Sequence, residues 1–319
     1  MTQIKQMIKN PLFYAKILLF GEYGIIQDSM GLSIPFNYYK GNLLFSDLST
    51  EDQKTSNISL AKFCNYLIEN SAKIELFPLL DFQKFKSDID AGLTFNSSIP
   101  QGFGVGSSGA LVAAVYDKYA INKIEPEKDI NKQDILTLKN WFGQMESYFH
   151  GKSSGLDPLI CYLNLPMLIK SKNDIDTIGI PLENKEGKGA IFLLDSGIPG
   201  ETQPMVNIFL EKMKNEGFRK VISEQFKKYN DECIKAFLKH DFNPLFNNLK
   251  KLSHVVLEHF KPMIPQTFHK LWKEGIDSNT YYLKLCGSGG GGFILGFAPD
   301  YEKALPKLKE FNPEVIYTF

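Results

Sequence analysis

Glycine takes every second position from Gly102 to Gly106 in the run Ile99-Pro-Gln-Gly-Phe-Gly-Val-Gly-Ser-Ser-Gly-Ala110. No helix or strand interior tolerates that density, because glycine surrenders more backbone freedom on ordering than any other residue. The run must be a tight loop, and Gly109-Ala-Leu-Val-Ala-Ala-Val-Tyr116 after it reads as a helix. The open N–H groups and positive dipole end of that helix then fall at Ser107 and Ser108. Such a loop can cradle a phosphate. A second glycine run, Lys284-Leu-Cys-Gly-Ser-Gly-Gly-Gly-Gly-Phe293, lies between apolar segments 281–285 and 293–297, which predicts a strand–turn–strand unit.

Two motif matches fail on context. Gly104-Val-Gly-Ser-Ser-Gly109 has the G-x-G-x-x-G spacing, but Pro100 separates it from the preceding strand-like residues. The acids downstream, Glu125 and Glu127, lie in a polar loop, so a dinucleotide site is disfavoured. The loop contains no lysine and is not a Walker A motif; any cation must come from elsewhere in the chain.

The chain has 319 residues, 43% hydrophobic and 23% charged, which is enough for one large core or two ordinary ones. Lys+Arg and Asp+Glu both number 36, so no basic excess draws the protein to nucleic acid or an anionic membrane. Cys64, Cys161, Cys233 and Cys286 are widely spaced and read as reduced thiols, neither a zinc site nor a disulfide frame. The apolar stretch 13–26 is broken by Lys16 and Glu22 and reads as neither signal peptide nor membrane span. A cytoplasmic location is expected.

Strands are expected at 15–20, 93–95 and 190–194, and helices at 60–69 and 135–149. Residues 205–273 read as mostly helical, with turns near Gly217 and at Asn243-Pro244, and the polar stretch 182–189 reads as a linker. Strands followed by segregated helices, twice over, imply an α+β protein of two domains.

Several groups could carry chemistry, most of them beside a plainer reading. Lys16 sits inside an apolar strand, where a charge is costly without a partner; the plain alternative is an edge lysine snorkelling to water. Glu22 follows at the strand's end. Glu146 falls on the helix at 135–149, where the plain alternative is a solvated face. Asp157, after the turn His150-Gly-Lys-Ser-Ser-Gly-Leu156, brings a second carboxylate back toward Glu146, although Asp157-Pro158 also reads as an N-cap with proline at the first helical position. Asp195-Ser-Gly-Ile-Pro-Gly-Glu-Thr-Gln203 is a hydroxyl-rich loop of a kind that is usually just a turn.

Taken in order, these segments resemble the GHMP kinases, the family of galactokinase, homoserine kinase, mevalonate kinase and phosphomevalonate kinase. That family has an N-terminal strand motif with a lysine, a P-x-G-x-G-x-G-S-S-x-A loop and a C-terminal glycine-rich hairpin, matched here at 15–26, 100–110 and 284–293. The Asp157 segment is most similar to the mevalonate kinase pattern H-G-x-P-S-G-x-D, with Glu146 eleven residues before the aspartate, and 195–202 resembles that enzyme's D-T-G-x-x-x-x-T. The departures are Tyr14-Ala15 for Pro-Gly, Tyr23 for the histidine of G-E-H, Lys152-Ser153 for x-Pro, and Asn164-Leu165 near the place of a Gly-Gly pair.

The resemblance implies a two-domain fold, with a ribosomal protein S5 domain 2-like N-terminal domain (1–184) and a ferredoxin-like α/β sandwich with extra helices (185–319). It implies an ATP- and Mg²⁺-dependent kinase acting on a small-molecule alcohol, mevalonate in the first instance, with no nucleic-acid or membrane partner and a homodimer left open. A sugar, homoserine or phosphomevalonate acceptor, or an inactive sensor of the same fold, are the alternatives. Gly102, Gly104, Val105, Gly106, Ser107, Ser108 and Gly109 would bind ATP. Ser108 and Glu146 would hold the metal. Asp157 and Lys16 would be catalytic, and Glu22, Tyr23, Thr202, Gly287 and Ser288 would meet the substrate. Lys152 is a candidate for the substrate carboxylate by proximity alone, with a solvated loop lysine as its plainer reading.

Overall fold

A computed structural model describes residues 11–72, 77–126 and 130–319. Glu127 lies outside the described residues. The chain forms two compact units that interleave in sequence: 11–15, 37–99 and 108–164 in the first, 16–36, 100–107 and 165–319 in the second. The expected cut at 184/185 therefore falls inside the second unit.

The elements run β1 (Phe13–Phe20), β2 (Gly31–Phe45), α1 (Glu51–Ser71), α2 (Phe82–Asp90), β3 (Leu93–Ser97), α3 (Ser107–Tyr119), α4 (Lys132–His150) and α5 (Leu156–Leu163). Then follow β4 (Met167–Ser171), β5 (Asp174–Thr177), β6 (Ala190–Asp195), α6 (Thr202–Lys212), α7 (Glu216–Lys220), α8 (Lys227–Leu238) and α9 (Phe242–His259). The chain closes with α10 (Phe268–Ser278), β7 (Tyr282–Leu285), β8 (Phe293–Ala298), α11 (Tyr301–Leu308) and β9 (Glu314–Thr318). One sheet has the order β1-β2-β4-β5 with β3 also on β2; the other is β7-β8-β6-β9.

In the first unit the C-terminal half of β2 pairs antiparallel with β3, from Gly41↔Ser97 to Phe45↔Leu93. Its helices start where their caps dictate. Thr50 and Gln53 form a capping box on α1, and Asn131 and Asp134 form another on α4, each satisfying two otherwise open backbone donors. Buried Val112, Ala113, Val115 and Tyr116 of α3 and Leu138, Phe142 and Met145 of α4 fill the core, with the Tyr116 ring edge-on to Phe142 at 5.1 Å. Burial pushes the Tyr116 phenol up to about 12.

In the second unit the N-terminal half of β2 pairs with β4 (Gly31↔Ile169 to Ser33↔Met167), and β4 pairs with β5. The other sheet is centred on β6 and β8, whose six-residue register runs from Ala190↔Ala298 to Asp195↔Phe293. Five of the six β6 residues and all six of β8 are buried, and because successive side chains point to opposite faces, both faces of these strands are covered.

Several expectations need correction. Segment 182–189 is not a free linker, since Asn184 N donates to Thr318 O and Gly189 N to Phe319 O at the chain's end. Gly217 lies within α7, capped by Asn215, and the chain continues through a π-helical segment, Val221–Phe226, into α8. Asn243-Pro244 is the first turn of α9, where the missing proline N–H costs nothing. The break comes just before it, with His240 at φ 59°.

Candidate active site

In the first unit, α3, α4 and α5 converge on one cluster. Ser108 Oγ donates to Glu146 Oε1 at 2.9 Å and lies 3.0 Å from His150 Nε2. Glu146 is only 3% exposed, which overturns the solvated-face reading. A Cβ at Gly109 would come within 2.8 Å of the Asp157 carbonyl carbon and 2.9 Å of Pro158 N. Glycine at this position therefore lets the first turn of α3 rest directly on the first turn of α5, placing Asp157 beside the open amides of α3. The N-cap of α5 is Gly155, and Asp157 is the second helical residue, so it is not the cap its sequence suggested.

The turn between α4 and α5 folds flat against α4. Gly155 has φ +74°, and a Cβ there would sit 1.9 Å from Lys139 O. Only glycine fits that approach. Ser153 Oγ donates to the other Glu146 oxygen, Oε2, and accepts from Gly155 N at 3.0 Å. Lys152 is exposed on this turn, in keeping with its plainer reading.

In the second unit, Gly102, Gly104 and Gly106 have φ +79°, +78° and +83°, the left-handed region that their alternation foretold. The loop is tied to β1 by Lys16 N donating to Val105 O at 3.0 Å. Lys16 is 3% exposed, so it does not snorkel to water. The glycines also serve close packing. A Cβ on Gly104 would lie 2.3 Å from Cys286 O, one on Gly102 2.8 Å from Pro199 Cβ, and one on Gly287 3.2 Å from Gly104 Cα. Gly200 N donates to Gly102 O, Ser196 N to Gly292 O and Gly292 N to Ile198 O. Three loops, 100–107, 196–200 and 286–292, are thus stitched backbone to backbone.

The loop 195–202 spends part of its polarity on its own turn: Gly197 N donates to Asp195 Oδ1 and Ser196 Oγ to Ile198 O. Thr202 opens α6, its hydroxyl 3.5 Å from Ser288 Oγ.

The turn after β1 is held from several directions. Glu22 and Lys284, both buried, form an ion pair and hydrogen bond. Burial raises the Glu22 carboxyl above its ordinary value, while the Lys284 charge and hydrogen bond and, more weakly, Lys16 pull it down. Tyr23 has φ 59° and ψ −34°, rare for an aromatic residue. Its hydroxyl donates to Ser288 O at 2.6 Å, and its ring packs against Phe209 and Phe260 with centroids 4.7 and 5.6 Å away. Burial, then the Glu22 charge, raises its phenol pKa.

Sequence reasoning gave no role to Lys284, His150 or Ser153. Lys284 carried the same signal as Lys16, a charge inside an apolar strand. Among the described residues no group of three or more His, Cys, Asp or Glu side chains could hold a metal ion, and no helix is long and apolar enough to cross a membrane.

Residues 66–164 match the family model for the GHMP kinases N terminal domain. No curated protein sequence matches the chain significantly. Solved structures do. Methanococcus jannaschii mevalonate kinase superposes with TM-score 0.60 at 18% identity, covering 97% of this chain and 98% of that one. The chain has the GHMP kinase fold. The L. major mevalonate kinase in complex with R-mevalonate gives 0.63 at 14% identity, covering 98% of each chain. Streptococcus pneumoniae phosphomevalonate kinase, in complex with phosphomevalonate and AMPPNP, gives 0.58 at 13%, covering 97% and 99%.

Proposed function

We propose that this GHMP-fold chain is an ATP-dependent kinase that phosphorylates a small-molecule alcohol, with the 5-hydroxyl of mevalonate as its acceptor. The observation that carries the reading is the buried Glu146 carboxylate bonded to Ser108 at the start of α3, with Asp157 seated against the same turn through Gly109. Phosphoryl transfer demands little beyond positioning and neutralisation of charge; this cluster would supply the positioning and the oxygen donors for a cation that neutralises the phosphates.

The residues present fit a hard divalent cation. A hydroxyl and a carboxylate are oxygen donors, and a cation that keeps waters and phosphate oxygens as its other ligands needs no larger protein cage. Ser108 and Glu146 would hold Mg²⁺, which when bound supplies charge neutralisation to the phosphates. The loop amides at Gly102, Gly104, Val105, Gly106 and Ser107 would bind ATP phosphates, as would the first amides of α3 at Ser108 and Gly109. Asp157 would accept the proton of the attacking hydroxyl. Lys16, buried and tied to the loop through Val105, would stabilise the negative charge that develops.

On the acceptor side, Glu22 and Tyr23 fix the turn after β1 through Lys284 and Ser288. The hydroxyls of Thr202 and Ser288, beside Gly287, would meet the polar groups of the acceptor. Mevalonate is favoured by the His150–Asp157 segment and by the likeness to two mevalonate kinases, one of them described with R-mevalonate bound. An ADP-release assay with mevalonate, phosphomevalonate, homoserine and several sugars tests the reading. Turnover with mevalonate alone is expected. Turnover with another acceptor overturns the substrate, and none with any acceptor overturns the activity.

A further inference from the structure

The pattern that the Asp157 segment resembles has proline where this chain has Ser153, and the structure gives that serine a task proline cannot perform. Glu146 has two carboxylate oxygens with separate partners in the first unit. Oε1 takes the proton of Ser108 Oγ at 2.9 Å, and Oε2 takes the proton of Ser153 Oγ. A hydroxyl has one proton, so His150 Nε2, 3.0 Å from Ser108 Oγ, must be the donor in that contact. Ser153 is in turn fixed by its own turn: Gly155 N donates to its hydroxyl at 3.0 Å, and its amide donates to Ser147 Oγ at 3.3 Å. Ser147 Oγ donates to Gly143 O within α4 at 2.7 Å. A chain of hydrogen bonds thus runs from the α4 backbone through the turn to the far side of the carboxylate.

We propose that Ser153 is a positioning residue for Glu146. It pins Oε2, sets the plane of the carboxylate, keeps Oε1 on Ser108 and so raises the affinity of the pair for a divalent cation. The inference rests on the reading of Ser108 and Glu146 as the cation-holding pair. Partners that orient a metal-binding group typically change affinity by about 10- to 100-fold.

The test is Mn²⁺ binding to the full chain with AMPPNP, followed by electron paramagnetic resonance, alongside a Mg²⁺ titration of turnover. Ser153→Ala should weaken Mn²⁺ binding about 10-fold or more and raise the Mg²⁺ requirement, while kcat at saturating Mg²⁺ stays near wild type. Ser153→Thr, which keeps the hydroxyl, should restore affinity. Ser153→Cys, close in size but a weak donor, carries the same expectation as alanine should that variant not fold. Unchanged Mn²⁺ affinity in the folded alanine or cysteine variant, or a loss of kcat with the metal requirement unmoved, overturns the inference. Glu146→Gln separates the two levels. If it weakens Mn²⁺ binding and the Ser153 variants do not, only the role of Ser153 falls; if it binds as wild type does, the pair falls and Ser153 with it.

Discussion

Asp157 and Lys16 are asked for different things, and their substitutions should read differently. Losing a general base or an electrostatic stabiliser typically costs about 10²–10⁴ in rate. Asp157→Ala and Lys16→Met should each lower kcat within that range, with a smaller effect on the KM for ATP. Steady-state kinetics on purified variants checks this, and near-normal turnover in either removes its role. Glu22 makes a separate, thermodynamic prediction. Its carboxyl is raised by burial, with Lys284 offsetting only part of the shift. A raised folded value means that the folded state binds the proton more tightly than the unfolded chain. The stabilising contribution is therefore present in full below the ordinary glutamate range, about 4.3, and is lost as pH rises through the folded value. Glu22→Gln has no such proton to lose. The melting temperature of the wild type minus that of Glu22→Gln should fall as pH climbs from about 4 to 7. A difference that rises over that interval would mean the Lys284 pair outweighs the desolvation.

At the scale of elements, the crossing of α3 over α5 is the most exacting feature. Gly109→Ala puts a methyl group 2.8 Å from the Asp157 carbonyl carbon, a contact relieved only by moving one helix. Overpacking of this kind costs about 1–3 kcal/mol. Gly109→Ala should lower stability by that much in urea unfolding and reduce kcat as well, because Asp157 moves with α5. Loss of stability alone would show that Asp157 is not placed by this contact. The sequence disclosed these elements unevenly. Apolar spacing foretold β1, β3, β6, the β7–β8 hairpin, α4 and the later part of α1, because it is a local property. It misplaced the break at Asn243-Pro244, since proline in a first helical turn and proline in a loop have the same local signature. The Ser108–Glu146 bond spans 38 residues and the Glu22–Lys284 pair 262, distances at which single residues carry no mark of their partner. The alternation of glycines announced their positive φ, whereas the packing of Gly104 on Cys286 and of Gly109 on Asp157 depends on which chain passes by. The family motifs supplied the roles, and folding supplied the reason Glu146 is buried and not solvated.

For the whole molecule, the zero net charge and the close-packed glycine loops lead to an expectation about ligand-linked stability. A chain with as many acids as bases gains nothing from general attraction to polyanions, so any gain from a triphosphate must come from a specific site. A ligand that binds only the folded state stabilises it by about 2.7 kcal/mol at a concentration one hundred times its Kd. With an unfolding entropy of about 2.1 cal/mol/K per residue, that is a rise of about 4 °C for a chain of this length unfolding in one step. ATP with Mg²⁺ should produce a rise of that order in differential scanning calorimetry, growing with the logarithm of nucleotide concentration. Inorganic triphosphate at equal charge should produce less, because it lacks the nucleoside. Glu146→Gln should retain a rise with ATP alone but lose the increment that Mg²⁺ adds, since the loop amides and the α3 N-terminus survive that change. If millimolar ATP with Mg²⁺ leaves the melting temperature where it was, the glycine loop serves packing alone. An equal rise with inorganic triphosphate would instead leave a phosphate site without a nucleotide specificity.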